Sequence, residues 1–565
     1  MQIDLLLTDA QVYNVYLKKF VPGIVAIKGD RIFYAGPAFT EQLHAKTHKS
    51  LQGKYVIPGF IDSHMHIQSS MMVPTTFSDA VLPHGVTTVI SEPHEIANVF
   101  GIEGIRHSMK AAKICALDIF LAMPSSVPST SPLLETTGGE IGIPELQEMM
   151  TWKDTLCLGE VMNVHDVIYK PESKINQLVD YVKKERPWWP IEGHCPKVVG
   201  EELATFLYRG ITSDHTEQHI PSMKERLLEG MFIQLQKKSL APDILSYIHE
   251  NHLEDRMAFV TDDTMPHTLL QEGHLDQVLR IAISMGYPVE KAIYNATYTP
   301  ACRMRLFDRG ALDPGKLADL VILKDLSHFT IEEVYKKGKP VTAEKTPPYS
   351  YPKEFYQSVH VSPLSSHDFE IKAPTEEGTV LCQGATIQKH STMTLPGTFQ
   401  LPVHQGYIDW AHSPYGLAAV IERHGKNHHK GFLFVDGHLM KEGAAASTYA
   451  HDHHNLLVLG QNPKDMAESA NAVIAMQGGM ATAKDGHVTS KVPLPIGGIL
   501  SEAPISVLGK QVLSFVEEMK SMGYDHDNII MSMTTLGLPV SPAIKLTDQG
   551  IVDVKRQQLI PLVIK

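Results

Sequence analysis

Between residues 55 and 261 the chain repeats one local pattern: a short apolar, β-prone run, then a stretch with helical spacing or a polar loop. Candidate strands fall around 55–61, 86–91, 117–123, 155–160, 188–193, 210–213, 231–235 and 257–261. Strands separated by helices pair in parallel, because a parallel pair needs a long crossover where an antiparallel pair needs only a turn. Such a series, within a 58–305 span of about 245 residues, has the size of a closed (β/α)8 barrel. Helical patterns at Glu172 to Glu185 and Glu201 to Tyr208 supply crossovers. The third connection instead carries Pro124 to Gly142, rich in Pro, Ser, Thr and Gly, and is expected to be a long loop over the barrel mouth.

The flanks read differently. Gly23-Ile24-Val25-Ala26-Ile27-Lys28, a Gly29-Asp30 turn and Arg31-Ile32-Phe33-Tyr34-Ala35-Gly36 form a hairpin signature. Strands with tight turns resume after Arg309-Gly310, so residues 1–57 and 306–345 are expected to share a small β domain around the 58–305 barrel. Prolines in 340–353 suggest a linker, and 354–565 forms a further mixed α/β domain, with a strand at Asn455 to Gly460 and a helix at 462–477. The chain is therefore α/β, of 565 residues, too long for one core.

Composition narrows the partners. A formal charge of −13 disfavours a nucleic-acid-binding surface, and 43% apolar with 20% charged residues describes a globular protein. Residues Met1 to Asp9 lack a signal-peptide pattern, and no run of about 18 apolar residues occurs. A cytoplasmic protein with no membrane partner is expected, assembling as a homo-oligomer. The five cysteines are scattered, which fits reduced thiols.

Polar residues end the strands where a barrel builds its site. Strand 1 runs into His64 and His66, whose i and i+2 side chains share one side of an extended segment. Strand 4 ends at Glu160, strand 5 delivers His194, strand 6 His215 and strand 8 Asp262-Asp263. Imidazole and carboxylate suit transition metals, and Glu160 has two oxygens with which to bridge two cations. Neighbours on an extended strand point apart, so Asp262 rather than Asp263 is the expected ligand. The metal set is then His64, His66, Glu160, His194, His215 and Asp262. His94 and Glu95, just past strand 2, face the same rim or cap the following helix. Trp188 and Trp189 are expected in the barrel floor.

The chain also resembles the adenine deaminases of the metal-dependent amidohydrolase superfamily over nearly its whole length. The resemblance rests on Pro58-Gly59-Phe60-Ile61-Asp62-Ser63-His64-Met65-His66, Pro93-His94-Glu95-Ile96-Ala97-Asn98-Val99, Gly159-Glu160-Val161-Met162-Asn163, Ser213-Asp214-His215 and Thr261-Asp262-Asp263. Val420 to Lys426, Ala450-His451-Asp452 and His454-Asn455 look like the extra domain of that family. The resemblance implies hydrolysis of a purine amine, adenine and water giving hypoxanthine and ammonia, with two divalent ions, Mn²⁺ or Fe²⁺ ahead of Zn²⁺. Asp262 would shuttle the proton, and His94 and Glu95 would protonate a ring nitrogen or bind the purine edge.

Some positions depart from the family pattern: Gln68, Glu92, Glu192, Cys195, Thr216 and Thr264 stand where Glu, Asp, Asp, Ala, Glu and Arg are usual. They adjoin the expected ligands, so they could alter which ring the pocket accepts. Another amino-heterocycle or a cyclic amide is the alternative substrate, and a silent barrel kept for binding is a second alternative. Cytidine-deaminase zinc chemistry is disfavoured, since no Cys-x-x-Cys occurs. The C-terminal histidines His424, His428, His429, His451, His453 and His454 suggest a further metal or a lid, with Glu422, Arg423 and His424 as the closing residues.

Overall fold

The computed structural model describes residues 2–38 and 43–564. Its centre is a ring of eight parallel strands: β1 Phe60–Met65, β2 Val86–Ser91, β3 Asp118–Met123, β4 Thr155–Val161, β5 Ile191–Gly193, β6 Ser213–Asp214, β7 Phe232–Leu235 and β8 Met257–Phe259. β1 to β5 form one sheet and β6 to β8 another. Backbone bonds join the two on both sides. Thr212 N–H donates to Ile191 C=O at 3.0 Å, Asp262 N–H to His64 C=O at 3.1 Å, and His66 N–H to Asp262 C=O at 3.3 Å. The sheet thus closes on itself and leaves no free edge. Every residue of β1 and β2 is buried, as expected where helices cover the outside of a barrel and side chains fill its interior.

The first expected strand proves to be two. Tyr55–Pro58 belongs to a flanking sheet, antiparallel to Leu320–Asp325 and parallel to Gln2–Asn14, while Phe60–Met65 is β1. Gly59 is the crossing point, because a Cβ there would lie 2.3 Å from Thr87 Oγ1. β5 and β6 are also shorter than expected. Trp188 is exposed outside the barrel rather than packed in its floor.

The flanking sheet takes its strands from both ends of the barrel sequence: Gln2–Asn14 to Tyr55–Pro58 on one side, Leu320–Asp325, Thr330–Lys336 and Lys339–Pro340 on the other. The hairpin Lys19–Lys28 with Arg31–Gly36 is antiparallel, and Gly29 takes a positive φ of 63° in its turn. Beyond residue 353 a ten-stranded sheet packs with helices Pro463–Ala475 and Ile505–Ser521.

This C-terminal unit sits on the barrel's loops. Ser501 N–H donates to Met71 C=O at 2.8 Å, just past β1. The long stretch between Met123 and Ile143 contains no helix or strand, yet it is pinned. Thr136 donates its N–H and hydroxyl to Asp548 at 2.9 and 2.6 Å, and Asn455 Nδ2 donates to Thr136 C=O at 2.8 Å. From the barrel side, Gly138 N–H donates to Asn98 C=O at 2.6 Å. No helix among the described residues is long and apolar enough to cross a membrane.

Candidate metal centre

The strand ends converge as the barrel geometry demands. His66 Nε2 lies 3.3 Å from Glu160 Oε1 and 3.3 Å from Asp262 Oδ1, and His64 Nε2 lies 3.5 Å from Asp262 Oδ1. On the other side, His194 Nδ1 and His215 Nε2 are each 3.1 Å from Glu160 Oε2. The rings of His64 and His215 stack with centroids 3.9 Å apart. Glu160 therefore turns one oxygen to His66 and the other to the histidines that follow β5 and β6. All six residues expected as ligands meet here, and all but His194 are buried.

These donors fit divalent cations. Their ligand atoms form overlapping groups within 4.8 Å: His64, His215 and Asp262; Glu160, His194 and His215; His66, Glu92, His94 and Glu160. Buried His64 Nε2 and Glu160 Oε2 make no hydrogen bond among the described residues, the condition of atoms that serve something else. Burial alone would raise the Glu160 and Asp262 carboxyls, but the imidazole of His215, with His194 and His66 at Glu160 and His64 and His66 at Asp262, holds both well below the usual range. Both are thus ionised and ready for a cation.

Support lies behind the ligands. Thr261 donates its hydroxyl to Asp62 at 2.6 Å, tying β8 to β1 beneath the histidines, and burial pushes the Asp62 carboxyl up to about 7. Asp262 Oδ2 accepts from Gln236 Nε2 at 2.8 Å and has Lys238 Nζ 3.9 Å away on the exposed side.

Three features depart from the sequence reading. Asp263 also faces the site, its ligand atom within 4.8 Å of those of His66 and Asp262. Alternation fails there because Asp262 has a positive φ of 59°, so the backbone is no longer extended. Glu92, read from sequence only as a departure, accepts from His94 Nδ1 at 2.5 Å and from His94 N–H at 3.2 Å. His66 Nδ1 bonds the Glu92 main-chain carbonyl at 2.9 Å, with the carboxylate 3.5 Å away, so one residue orients two histidines and the start of helix His94–Ala112. The cue was an acidic residue one step beyond β2, hidden by the Pro93 that makes it look like a turn.

The third concerns the C-terminal histidines, which divide. His451 joins the site, a ring nitrogen within 4.8 Å of His94 and Glu95 ligand atoms, and Asp452 Oδ1 is 3.6 Å from His94 Nε2. His428 and His429 are exposed. Glu422, Arg423 and His424, the expected closing residues, are instead bonded within their own unit: Arg423 donates to the carbonyls of Ser358 and Gly497, and Glu422 accepts the N–H groups of Lys426 to His428. Closure comes from residues near 451, far in sequence from any barrel strand.

Most family departures are spent inside the protein. Thr216 donates its hydroxyl to Asp214 at 2.8 Å, Glu192 accepts from Arg303 at 2.6 Å, and Thr264 N–H donates to Ser69 Oγ at 3.0 Å. Cys195 is buried, its carbonyl accepting from Arg226 at 2.7 Å. Gln68 differs, buried with its Oε1 unpartnered.

Residues 55–186 and 199–341 match the amidohydrolase family, and 391–558 match the adenine deaminase C-terminal domain. An adenine deaminase of Clostridium perfringens is 43% identical over 573 residues, covering all of both chains. An adenine deaminase 2 of Shouchella clausii is 44% identical over 569 residues, covering 100% of this chain and 99% of that one. A third, adenine deaminase 2 of Oenococcus oeni, is 42% identical over 99% of each.

Proposed function

Since this chain belongs to the adenine deaminase family of the amidohydrolases, we propose that it hydrolyses adenine to hypoxanthine and ammonia with two divalent ions. It is a hydrolase acting on carbon–nitrogen bonds. The observation that supports the metal count best is Glu160, whose two oxygens address separate histidine sets. One ion would be held by His64, His66, Asp262 and Glu160, the other by Glu160, His194 and His215. The imidazole and carboxylate set can hold Mn²⁺, Fe²⁺ or Zn²⁺, and the family resemblance puts the first two ahead. When bound, such ions lower the pKa of water so that a nucleophile exists near neutrality.

The protein's own groups then manage protons and orientation. Asp262 accepts a proton from the attacking water as its oxygen bonds to C6, and returns it to the nitrogen that leaves as ammonia. Gln236 keeps Oδ2 of Asp262 directed for this transfer. Glu95, buried with both oxygens unpartnered, is placed to meet a ring nitrogen. His94, gripped by Glu92, stands beside it. In this reading residues 58–305 carry the chemistry, 1–57 with 306–345 brace the barrel, and 354–565 close its mouth. The internal side-chain bonding of Thr216 and Glu192 removes part of the reason to expect a different ring.

The test is ammonia release by protein purified with Mn²⁺, or anaerobically with Fe²⁺, across purines, pterins and cyclic amides. Adenine is expected to turn over fastest. An enzyme inert on adenine but active on another heterocycle would overturn the assignment.

A further inference from the structure

Thr448 to Asn455 follows the strand Ala444–Ser447, is buried throughout and forms no regular element. Buried irregular backbone with polar side chains is costly unless those groups are engaged. Several are. Thr448 Oγ1 donates to Gly498 C=O at 2.6 Å, Ser447 Oγ to Tyr449 C=O at 2.7 Å, and His453 Nδ1 accepts Asn455 N–H at 3.0 Å. The Tyr449 hydroxyl and His451 Nε2 are buried without a partner. His453 and His454 each keep an unpartnered nitrogen too, but the charges acting on them come from their own unit.

Tyr449 and His451 face the barrel. Their rings lie 5.1 Å apart, edge to face. A His451 nitrogen is within 4.8 Å of a Glu95 oxygen, with no hydrogen bond between them. The charges that act on the Tyr449 phenol belong to Glu95, Asp263, Asp452 and Asp262. On the barrel side, both Glu95 oxygens, Asp263 Oδ1 and Gln68 Oε1 are likewise unpartnered. Unspent donors and acceptors from two separately folded parts of the chain thus collect beside the metal ligands. A native protein keeps such groups where a ligand completes them.

Their polarity fits a purine. Asp452 Oδ1, 3.2 Å from His451 Nδ1, accepts that N–H and leaves Nε2 for the site. The tyrosine hydroxyl can donate. An aminopurine edge sets an N–H beside a ring nitrogen, polar partners for a hydroxyl and an imidazole nitrogen. Resting on the adenine deaminase reading, we infer that Tyr449 and His451 are substrate contacts supplied by the C-terminal unit, the hydroxyl donating to a purine ring nitrogen and Nε2 hydrogen-bonding the neighbouring polar group of the same edge.

The test compares full-length, Mn²⁺-loaded wild type with Tyr449→Phe and His451→Ala. Each variant should lose about 10- to 100-fold in kcat/KM for adenine, the worth of one buried hydrogen bond. Mn²⁺ per chain should stay at the wild-type value. For Tyr449→Phe the melting temperature of the free enzyme should not fall, because the hydroxyl makes no bond there, while the stabilisation by hypoxanthine should shrink. Wild-type kcat/KM and hypoxanthine stabilisation in both variants would overturn the inference. So would loss of one Mn²⁺ per chain in His451→Ala, which would make the residue a metal ligand. If the wild type uses another heterocycle, the activity reading fails, and wild-type kinetics of both variants on that heterocycle would overturn this inference separately.

Discussion

Two buried histidine clusters lie a short distance apart in this molecule, and they are built on opposite principles. At the barrel mouth, His64, His66, His94, His194 and His215 interleave with Glu92, Glu160 and Asp262. Behind it, His424, His453 and His454 surround Arg423 and backbone carbonyls; His424 Nε2 lies 2.9 Å from His453 C=O. Burial pushes His453 down to about 4 and holds His424 and His454 below the usual imidazole range, so these rings stay neutral. A cation entering the first cluster meets carboxylates, whereas in the second it meets a guanidinium. Histidine density is common to both, and the intervening charge decides what each can bind.

The sharpest way to break this contrast is Glu160→Gln. The change removes a negative charge and one acceptor from the centre of the first cluster, while nearly keeping its volume. Turnover of adenine should fall by about 1000-fold or more, since water activation depends on the held ions. Metal analysis should show fewer than the wild-type number of Mn²⁺ per chain. A variant with intact Mn²⁺ and intact ammonia release would show that the carboxylate is not what separates the clusters.

The first cluster was largely legible in the sequence and the second much less so, for physical reasons. His64, His66, Glu160, His194, His215 and Asp262 each follow a short apolar run, so strand ends and barrel topology together place them on one rim. The rule that neighbours point apart failed at Asp262 and Asp263 because a positive φ of 59° is not visible in residue types. Strand register blurred at Pro58-Gly59, where one apolar run serves two sheets. Tyr449 carries no local signal, and His451 and Asp452 are marked only by the family motif and the histidine run, not by any sign that they face the barrel. They reach the site through long-range packing of irregular backbone, which neither periodicity nor motif spacing encodes. Glu422 to His424 looked equally suited to closure, and only their internal hydrogen bonds show otherwise.

A smaller effect is expected from His453→Ala. The ring accepts Asn455 N–H at 3.0 Å, and its loss leaves that buried donor and a cavity, at a cost of about 1–3 kcal/mol. Thermal melting should register the loss while Mn²⁺ per chain stays at the wild-type value. If Mn²⁺ fell as it does in Glu160→Gln, the second cluster would be holding metal and the contrast would collapse.

The finest probe is a charge that the C-terminal unit buries with none of the first cluster's compensation. Lys545 is fully buried and donates to Thr392 C=O at 3.1 Å. Burial pushes its ammonium down to about 7 from 10.5. Between those values the unfolded chain binds the proton and the folded chain does not, so stability rises with pH through this window, by at most about 1.4 kcal/mol per pH unit. Below about pH 7 both states carry the proton and the full burial penalty is present. Lys545→Met removes both penalty and slope. The variant should melt above wild type at pH 7, and the gap should narrow as pH rises toward 10. At Glu160 and Asp262 the slope has the same sign, since their depressed carboxyls also lose stability as pH falls, but it lies in the acid range and reflects a favourable interaction lost rather than a burial penalty gained. Parallel melting curves for Lys545→Met and wild type across pH 7 to 10 would mean that the buried ammonium finds compensation, and that the two regions handle charge alike.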